Sequence, residues 1–227
     1  MSGIIGNNIV KDGLVLHLDA ADRKSYPGSG TVWYDRSGNR YNGTLTNTPT
    51  FSSDSGGIFT FNGTNQFVDL TSTSIASSGN AARTMLTWIK NSNAGAQRCI
   101  ISTGTAANGQ SFNLVTYIYA KVGVMGYNLD YYPSTGANVT DGNWHFVGAV
   151  ANGSSTTTTY VDGNLDNTSG TLTYSTTGQN NYIGKASHVG NENYWNGSIA
   201  VVYIYNRALS LTEIKQNFNA TRRRFNV

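Results

Sequence analysis

The segment that decides the fold is residues 195–219, WNGSIAVVYIYNRALSLTEIKQNFN. Its first half, residues 199–205, is rich in β-branched and aromatic side chains, which favours a strand. Ser210 is followed three positions later by Glu213, and this spacing is a capping box that starts a helix. The segment therefore predicts a strand, a turn and one short helix.

The rest of the chain has the pattern of many short strands. Apolar and polar residues alternate from residue 14 to residue 205, interrupted by Gly, Asn and Asp. Leu14, Leu16 and Leu18 are predicted to share one face of the first strand. The pair Asp162-Gly163 lies between two strand-like runs and predicts a hairpin, because both residues tolerate positive φ. No change in composition marks a linker, so we expect one β domain.

Composition narrows the class of protein. Of 227 residues only 12% are charged, Gly numbers 26, and the net charge is +3. No apolar run is long enough for a membrane-spanning helix, and the first residues show no secretory signal. Nucleic acid is not an expected partner, because no basic stripe carries interleaved aromatic residues. The lone Cys99 is expected to pack in the core.

Five further segments carry a family resemblance, and they occur in family order. They are GLVLHLDA at 13–20, WYDRSGNRYNGTL at 33–45, FNGTNQFV at 61–68, DGNWHFV at 141–147 and NYIG at 181–184. With residues 195–219 they resemble laminin-G-like domains of the concanavalin A-like lectin and glucanase superfamily. The resemblance implies an all-β jelly-roll β-sandwich with one short C-terminal helix over residues 13–221. An N-terminal arm, residues 1–12, and a basic C-terminal tail, residues 222–227, would flank it. The tail is favoured as solvated, with a docking arm as the alternative.

Catalysis by the route of the related glucanases is not expected. That route needs two carboxylates about 5 Å apart, and the glucanases carry them on one strand. This chain has only two glutamates, Glu192 and Glu213, and no predicted strand holds two alternating acids. His17, His145 and His188 are not spaced as metal ligands. A glycoside hydrolase is therefore the least favoured hypothesis.

Calcium is the cofactor that the resemblance allows, and no other cofactor is expected. Asp19, Asp22 and Asp35 are the candidate oxygen ligands. Asp35 equally fits an Asx turn that binds its own backbone. Ala200 and Val201 stand where the family usually has acids, and this weakens the calcium hypothesis.

Ligand-binding candidates are loop aromatics, because a sugar ring stacks on an exposed aromatic face. Tyr131 and Tyr132 are favoured because they lie outside the family segments. Tyr194 and Trp195 are further candidates, although Trp195 lies inside a family segment and core packing is its alternative role. His188 lies in a polar loop where it could contact a ligand.

Three segments narrow the resemblance to one branch of the family. Residues 14–20, the sequence SYPGSGTVW at 25–33, and residues 200–221 look like laminin-G-like proteins of tailed bacteriophages. That likeness implies a virion protein assembled in the host cytoplasm, decorating the capsid or forming part of a fibre. Its expected partners are capsid or fibre subunits, further copies of itself and cell-surface polysaccharide. A free-standing carbohydrate-binding module is the alternative.

Overall fold

The computed structural model describes residues 8–70, 75, 78–188 and 193–227. Within them, one α-helix, α1 (Leu211–Thr221), follows fifteen strands. In chain order these are β1 (Leu14–Asp19), β2 (Val32–Trp33), β3 (Gly43–Thr46), β4 (Thr50–Ser52), β5 (Ile58–Asn62), β6 (Phe67–Asp69), β7 (Arg83–Lys90), β8 (Arg98–Gly104), β9 (Ser111–Thr116), β10 (Val122–Met125), β11 (Trp144–Ala151), β12 (Thr157–Val161), β13 (Asn164–Thr168), β14 (Tyr182–Ile183) and β15 (Asn196–Tyr205). Short 3-10 turns form at Asp54–Gly56 and Arg222–Phe225. No described helix is long and apolar enough to cross a membrane.

The strands form two antiparallel sheets packed as a sandwich. The eight-stranded sheet has the order β13-β12-β11-β7-β15-β5-β4, with β1 also paired to β15. The seven-stranded sheet has the order β10-β9-β8-β14-β6-β3-β2. Some neighbours, such as β1 with β15 and β6 with β14, come from distant parts of the chain, so the sandwich closes only when both ends of the domain are in place. The predicted all-β jelly-roll sandwich with one C-terminal helix is confirmed.

The main core lies between the two sheets and is lined by alternate strand residues. Leu16 and Leu18 of β1 are fully buried in it, as predicted. The prediction is wrong for Leu14, which packs instead on the opposite face of its sheet. The pairing of β1 with β15 shifts register between Leu14 and Leu16. Such a shift turns the residue before it to the other face.

A second apolar cluster covers the outer face of the eight-stranded sheet. Helix α1 lies there, and its start confirms the predicted capping box. The Ser210 hydroxyl accepts from the Glu213 N–H, and the Glu213 carboxylate accepts from the Ser210 N–H at 2.8 Å. Ile214 is the buried apolar residue of the helix, and Asn217 is buried with it. The helix is thus held by its cap and by one buried stripe.

Described residues near both ends of the chain lie in this second cluster. Val10 is buried, and its N–H donates to the Asn217 side chain at 2.8 Å. Its carbonyl accepts from the Tyr205 hydroxyl at 3.0 Å. At the other end, Phe225 is buried, so the basic tail is not the fully solvated segment that the sequence favours. Arg224 beside it is half-buried and binds Asp19, whereas Arg222 and Arg223 are exposed.

The hairpin predicted at Asp162-Gly163 joins β12 to β13. Both residues have positive φ, 50° at Asp162 and 76° at Gly163. That conformation is the one that a two-residue hairpin loop requires. The turn also sits against α1, because a side chain at Gly163 would meet the ring of Phe218.

Candidate functional site

The outer face of the seven-stranded sheet is the face on which no described helix packs. Cross-strand pairing places one residue of each strand in a row across it: Thr44, Asp69, Tyr182, Ser102 and Asn113. Their strand neighbours, such as Val68 and Ile183, point into the main core. Because successive side chains in a strand alternate between faces, this row lies on the outer face. Ser102 and Asn113 are fully buried, whereas Thr44 is exposed and Asp69 and Tyr182 are half-buried. The part of this face that is open to a ligand is therefore the β3-β6-β14 part.

Three aromatic rings meet on this face around one ammonium group. Phe67 of β6 meets Tyr182 of β14 edge to face, with centroids 5.5 Å apart and planes at 88°. Tyr194, before β15, lies 6.3 Å from Phe67. The Nζ of Lys185 lies 4.8 Å from the Phe67 centroid, 4.7 Å from that of Tyr182 and 6.0 Å from that of Tyr194. We call these four residues the Lys185 cluster, and all four are half-buried.

Charge and burial both act on the cluster. Burial, with a smaller contribution from the Asp69 carboxylate, raises the pKa of Tyr182. Tyr182 therefore stays a neutral phenol near neutral pH. Lys185 takes part in none of the ion pairs among the described residues, and its ammonium is held by the rings instead. The cluster thus combines three aromatic rings with one ammonium that lies over two of them.

A second aromatic group lies on the same sheet face, near the β9–β10 end. Tyr132 stacks on Tyr117 with centroids 4.0 Å apart and an interplanar angle of 4°. The Tyr132 hydroxyl accepts from the Gln97 side chain at 2.7 Å, and burial raises its pKa. The ring also covers a small apolar cluster that includes the buried Cys99, as predicted for that cysteine. Tyr132 is therefore largely committed to packing, and Tyr119 is the exposed ring of the group.

Tyr131 has a different environment from Tyr132. Its backbone N–H and carbonyl both pair with Val124. Its ring packs against the main core and is half-buried. The two favoured tyrosines thus lie on opposite sides of one short extended stretch, and the structure does not bring them together with Tyr194.

Two predicted contact residues are corrected by their burial. Trp195 is 0% exposed in the main core, so its ring is closed to a sugar. His188 is 8% exposed and packs edge-on against Tyr127, with centroids 4.9 Å apart. Burial lowers the pKa of His188. Glu192, from the same loop, lies outside the described residues.

The aspartates proposed for calcium are engaged by protein groups. Asp19 binds the Arg224 guanidinium at 2.8 Å, and Asp22 pairs with Arg36 at 2.9 Å. Asp35 accepts hydrogen bonds from the N–H groups of His17, Ser37 and Tyr41 and from the Ser37 hydroxyl.

Calcium needs six to eight oxygen ligands facing one point. In the described chain no group of three or more acidic, His or Cys side chains could hold a metal ion. Asp35 accordingly has the Asx-turn role that was its alternative, and these residues do not fit a calcium site.

Glu213, His145 and His17 are engaged in hydrogen bonds or buried in the fold. The Glu213 carboxylate accepts a bidentate pair of hydrogen bonds from Arg207, which lowers its pKa to about 2. A general acid needs the opposite shift. His145 lies between Asp162 and Asp141, and the hydrogen bond to Asp162 raises its pKa. Burial lowers the pKa of His17 to about 4.

Sequence reasoning missed Phe67, Tyr182 and Lys185. Phe67 and Asp69 flank the inward Val68, and Tyr182 precedes the inward Ile183, so their outward direction is readable from alternation. The pairing of β6 with β14 is what brings them together. That pairing joins two very short strands, and such strands carry too little pattern to specify a partner.

A family model described as the concanavalin A-like lectin/glucanases superfamily matches residues 62–215. The chain belongs to this superfamily. No curated protein sequence matches the chain.

Solved structures with the same fold include both modules and parts of larger proteins. Domain 4 of AbnA, a GH43 extracellular arabinanase from Geobacillus stearothermophilus solved with arabinotriose, has a TM-score of 0.68 and 18% identity, over 90% of this chain and 97% of that one. The binding domain of Paraclostridial Mosquitocidal Protein 1 has a TM-score of 0.68 and 16% identity, over 92% of this chain and 52% of that one. A mutant Trypanosoma rangeli sialidase has a TM-score of 0.67 and 17% identity, over 93% of this chain and 33% of that one.

This superfamily member thus spans nearly all of the arabinanase domain, about half of the toxin domain and a third of the sialidase chain. At these identities the likenesses establish the fold. The fold is that of the concanavalin A-like lectin/glucanases superfamily.

Proposed function

We propose that this chain is a non-catalytic glycan-binding domain displayed on the virion of a tailed bacteriophage, with the Lys185 cluster as its binding surface. The observation that carries the proposal is the convergence of three half-exposed rings around one ammonium on the open sheet face. Those rings come from three separate segments. Side chains that only filled the core would be covered by other elements, whereas these lie at the surface.

Aromatic rings on a sheet suit a sugar for physical reasons. The axial C–H groups of a pyranose present an apolar face, which stacks on an aromatic ring and buries area without desolvating the hydroxyls. The hydroxyls then need polar neighbours. The Lys185 ammonium lies next to the rings and can donate to a hydroxyl. The cluster therefore has both elements of a sugar subsite.

The virion role rests on the sequence segments that resemble phage proteins, and the fold is consistent with it. Capsid decoration and a fibre position both remain within the proposal, with capsid or fibre subunits as partners. Immunogold labelling of intact particles tests this part. Gold on the capsid or on a fibre supports it, and the absence of gold from purified particles contradicts it.

A free-standing carbohydrate-binding module is the second candidate. It is favoured by the match to the arabinanase domain, of which 97% is covered. A module outside a virion would bind glycan equally well and would not label particles. The immunogold result therefore separates the two candidates.

Glycan binding itself is tested on an array with the purified chain and its Tyr182→Ala and Phe67→Ala variants. We expect binding to at least one glycan class, reduced about tenfold or more in each variant, because stacking on a ring contributes about 1 to 2 kcal/mol. Tyr34→Ala is the control, since Tyr34 is exposed and belongs to neither aromatic group. A blank array would contradict the proposal.

A separate measurement tests whether the protein hydrolyses the glycans that it binds. Every glycan that binds is incubated with the protein, and new reducing ends are assayed. We expect none, because Glu213 is tied to Arg207 and the Lys185 cluster contains no carboxyl pair. Release of reducing ends would overturn this part and would favour the glycoside hydrolase.

A further inference from the structure

The position of the Lys185 ammonium sets the chemistry of the ligand. Three rings surround the Nζ at 4.7 to 6.0 Å, so the side chain is fixed at a partly desolvated place. A lysine that served only solubility would extend into water. Here the ammonium lies over the rings of Phe67 and Tyr182, so a group that binds it also meets those rings.

This charge has no protein counter-ion among the described residues. The Lys and Arg side chains that form ion pairs there are Arg36, Arg207 and Arg224. Asp69 is the acidic neighbour of the cluster and is paired across from Tyr182. A positive charge that is partly removed from water and unpaired attracts an anion more strongly than a fully hydrated one does. The missing partner is therefore expected on the ligand.

Asp69 fixes which part of the ligand lies where. Its carboxylate raises the pKa of Tyr182, so it acts on that ring electrostatically. A carboxylate at that position, across from Tyr182, would repel an anionic group of a ligand. The anionic group of a bound sugar would then lie toward Lys185 and away from Asp69.

We propose that the Lys185 cluster binds anionic glycans, with the ammonium of Lys185 holding a carboxylate or sulfate of a sugar that packs against the rings of the cluster. This inference rests on the proposed glycan-binding function and adds the class of ligand. It also makes Lys185 the residue that discriminates between acidic and neutral sugars.

The test uses matched glycan pairs that differ only in charge. The array carries uronic-acid oligosaccharides beside their methyl esters, and sulfated oligosaccharides beside their desulfated forms. We expect the charged member of at least one pair to bind about tenfold or more tightly than its neutral form, because hydrogen bonds to a charged group are the stronger kind. The pair that responds identifies carboxylate or sulfate as the anion.

Variants then assign the preference to Lys185. Lys185→Met keeps the apolar stem and is expected to remove the preference, while Lys185→Arg keeps the charge and is expected to retain most of it. Lys215→Met, on the exposed side of α1, is the matched control and is expected to leave the preference unchanged.

Each outcome decides between the two proposals. Equal binding of charged and neutral members, or binding to neutral glycans alone, overturns the anionic ligand and leaves the glycan-binding function standing. A preference that survives Lys185→Met overturns the role of Lys185. An array on which nothing binds overturns both.

Discussion

The ring of Phe225 stacks on the indole of Trp88, with centroids 4.2 Å apart and planes at 25°. The Trp88 N–H donates to the hydroxyl of Thr221 at 2.7 Å, so helix α1 and the turn after it both close on one side chain of β7. Arg224, next to Phe225, reaches Asp19 of β1 and the carbonyls of Ser55 and Gly57. The C-terminal turn therefore ties the helix to the sheet.

Phe225→Ala is expected to destabilise the domain by about 3 kcal/mol, because it removes a buried ring and leaves a cavity over Trp88. The free energy of unfolding in urea measures it. Arg223→Ala is the matched control, since Arg223 is exposed, and its effect should stay within about 0.5 kcal/mol. Equal and small effects in the two variants would mean that the turn contributes nothing.

Glu213→Gln isolates the ion pair with Arg207, because glutamine still completes the capping box. The folded pKa of Glu213 is lowered from 4.5 to about 2, so its ionisation stabilises the fold above pH 4.5. That contribution is lost as the pH falls through about 2. We expect wild type to exceed the variant by about 1 kcal/mol at pH 7, with the difference vanishing toward pH 2. Urea unfolding at several pH values measures it, and a pH-independent difference would contradict the assignment.

His145 gives the opposite dependence on pH. Its folded pKa is raised above 6.5 by Asp162 and Asp141. The stabilisation is therefore complete below pH 6.5 and is lost as the pH rises through the folded value. We expect the unfolding free energy to fall over this interval and the slope to disappear in His145→Gln. His188→Gln should keep the slope, because the pKa of His188 is shifted downward.

Trp195 is expected to matter for stability and not for binding. Trp195→Leu should cost about 3 kcal/mol, because the indole is fully buried in the main core. Trp195→Phe, the milder change, should keep glycan affinity within about twofold. Affinity is measured by calorimetry at a temperature where both proteins are folded. A tenfold loss in Trp195→Phe would return Trp195 to the list of ligand contacts.

Local patterns in the sequence predicted the fold well where each signal is complete within a few residues. The Ser210 cap and the Asp162-Gly163 hairpin are of this kind, and both are confirmed. The register shift beside Leu14 could not be predicted from a local pattern, because it depends on how β1 pairs with β15. A sequence pattern carries alternation, but it does not carry the position of a bulge.

The candidate site was harder to predict because neighbours in an extended segment face opposite ways. Tyr194 and Trp195 were both candidates, and the structure places one ring at the surface and the other in the core. Composition alone could not indicate which of the two rings lies at the surface. Phe67 comes from β6, Tyr182 from β14 and Lys185 from the residues just after β14. Only the pairing of these strands brings the three side chains to Tyr194.

Val10 and Phe225 pack on the outer face of the eight-stranded sheet, and the Lys185 cluster lies on the opposite outer face. The molecule therefore has a back and a front. A tether attached after the C-terminal turn holds the domain from behind and points the rings outward. An affinity tag or a biosensor linkage at that end should likewise leave the front open, and copies anchored this way would present their clusters on the same side.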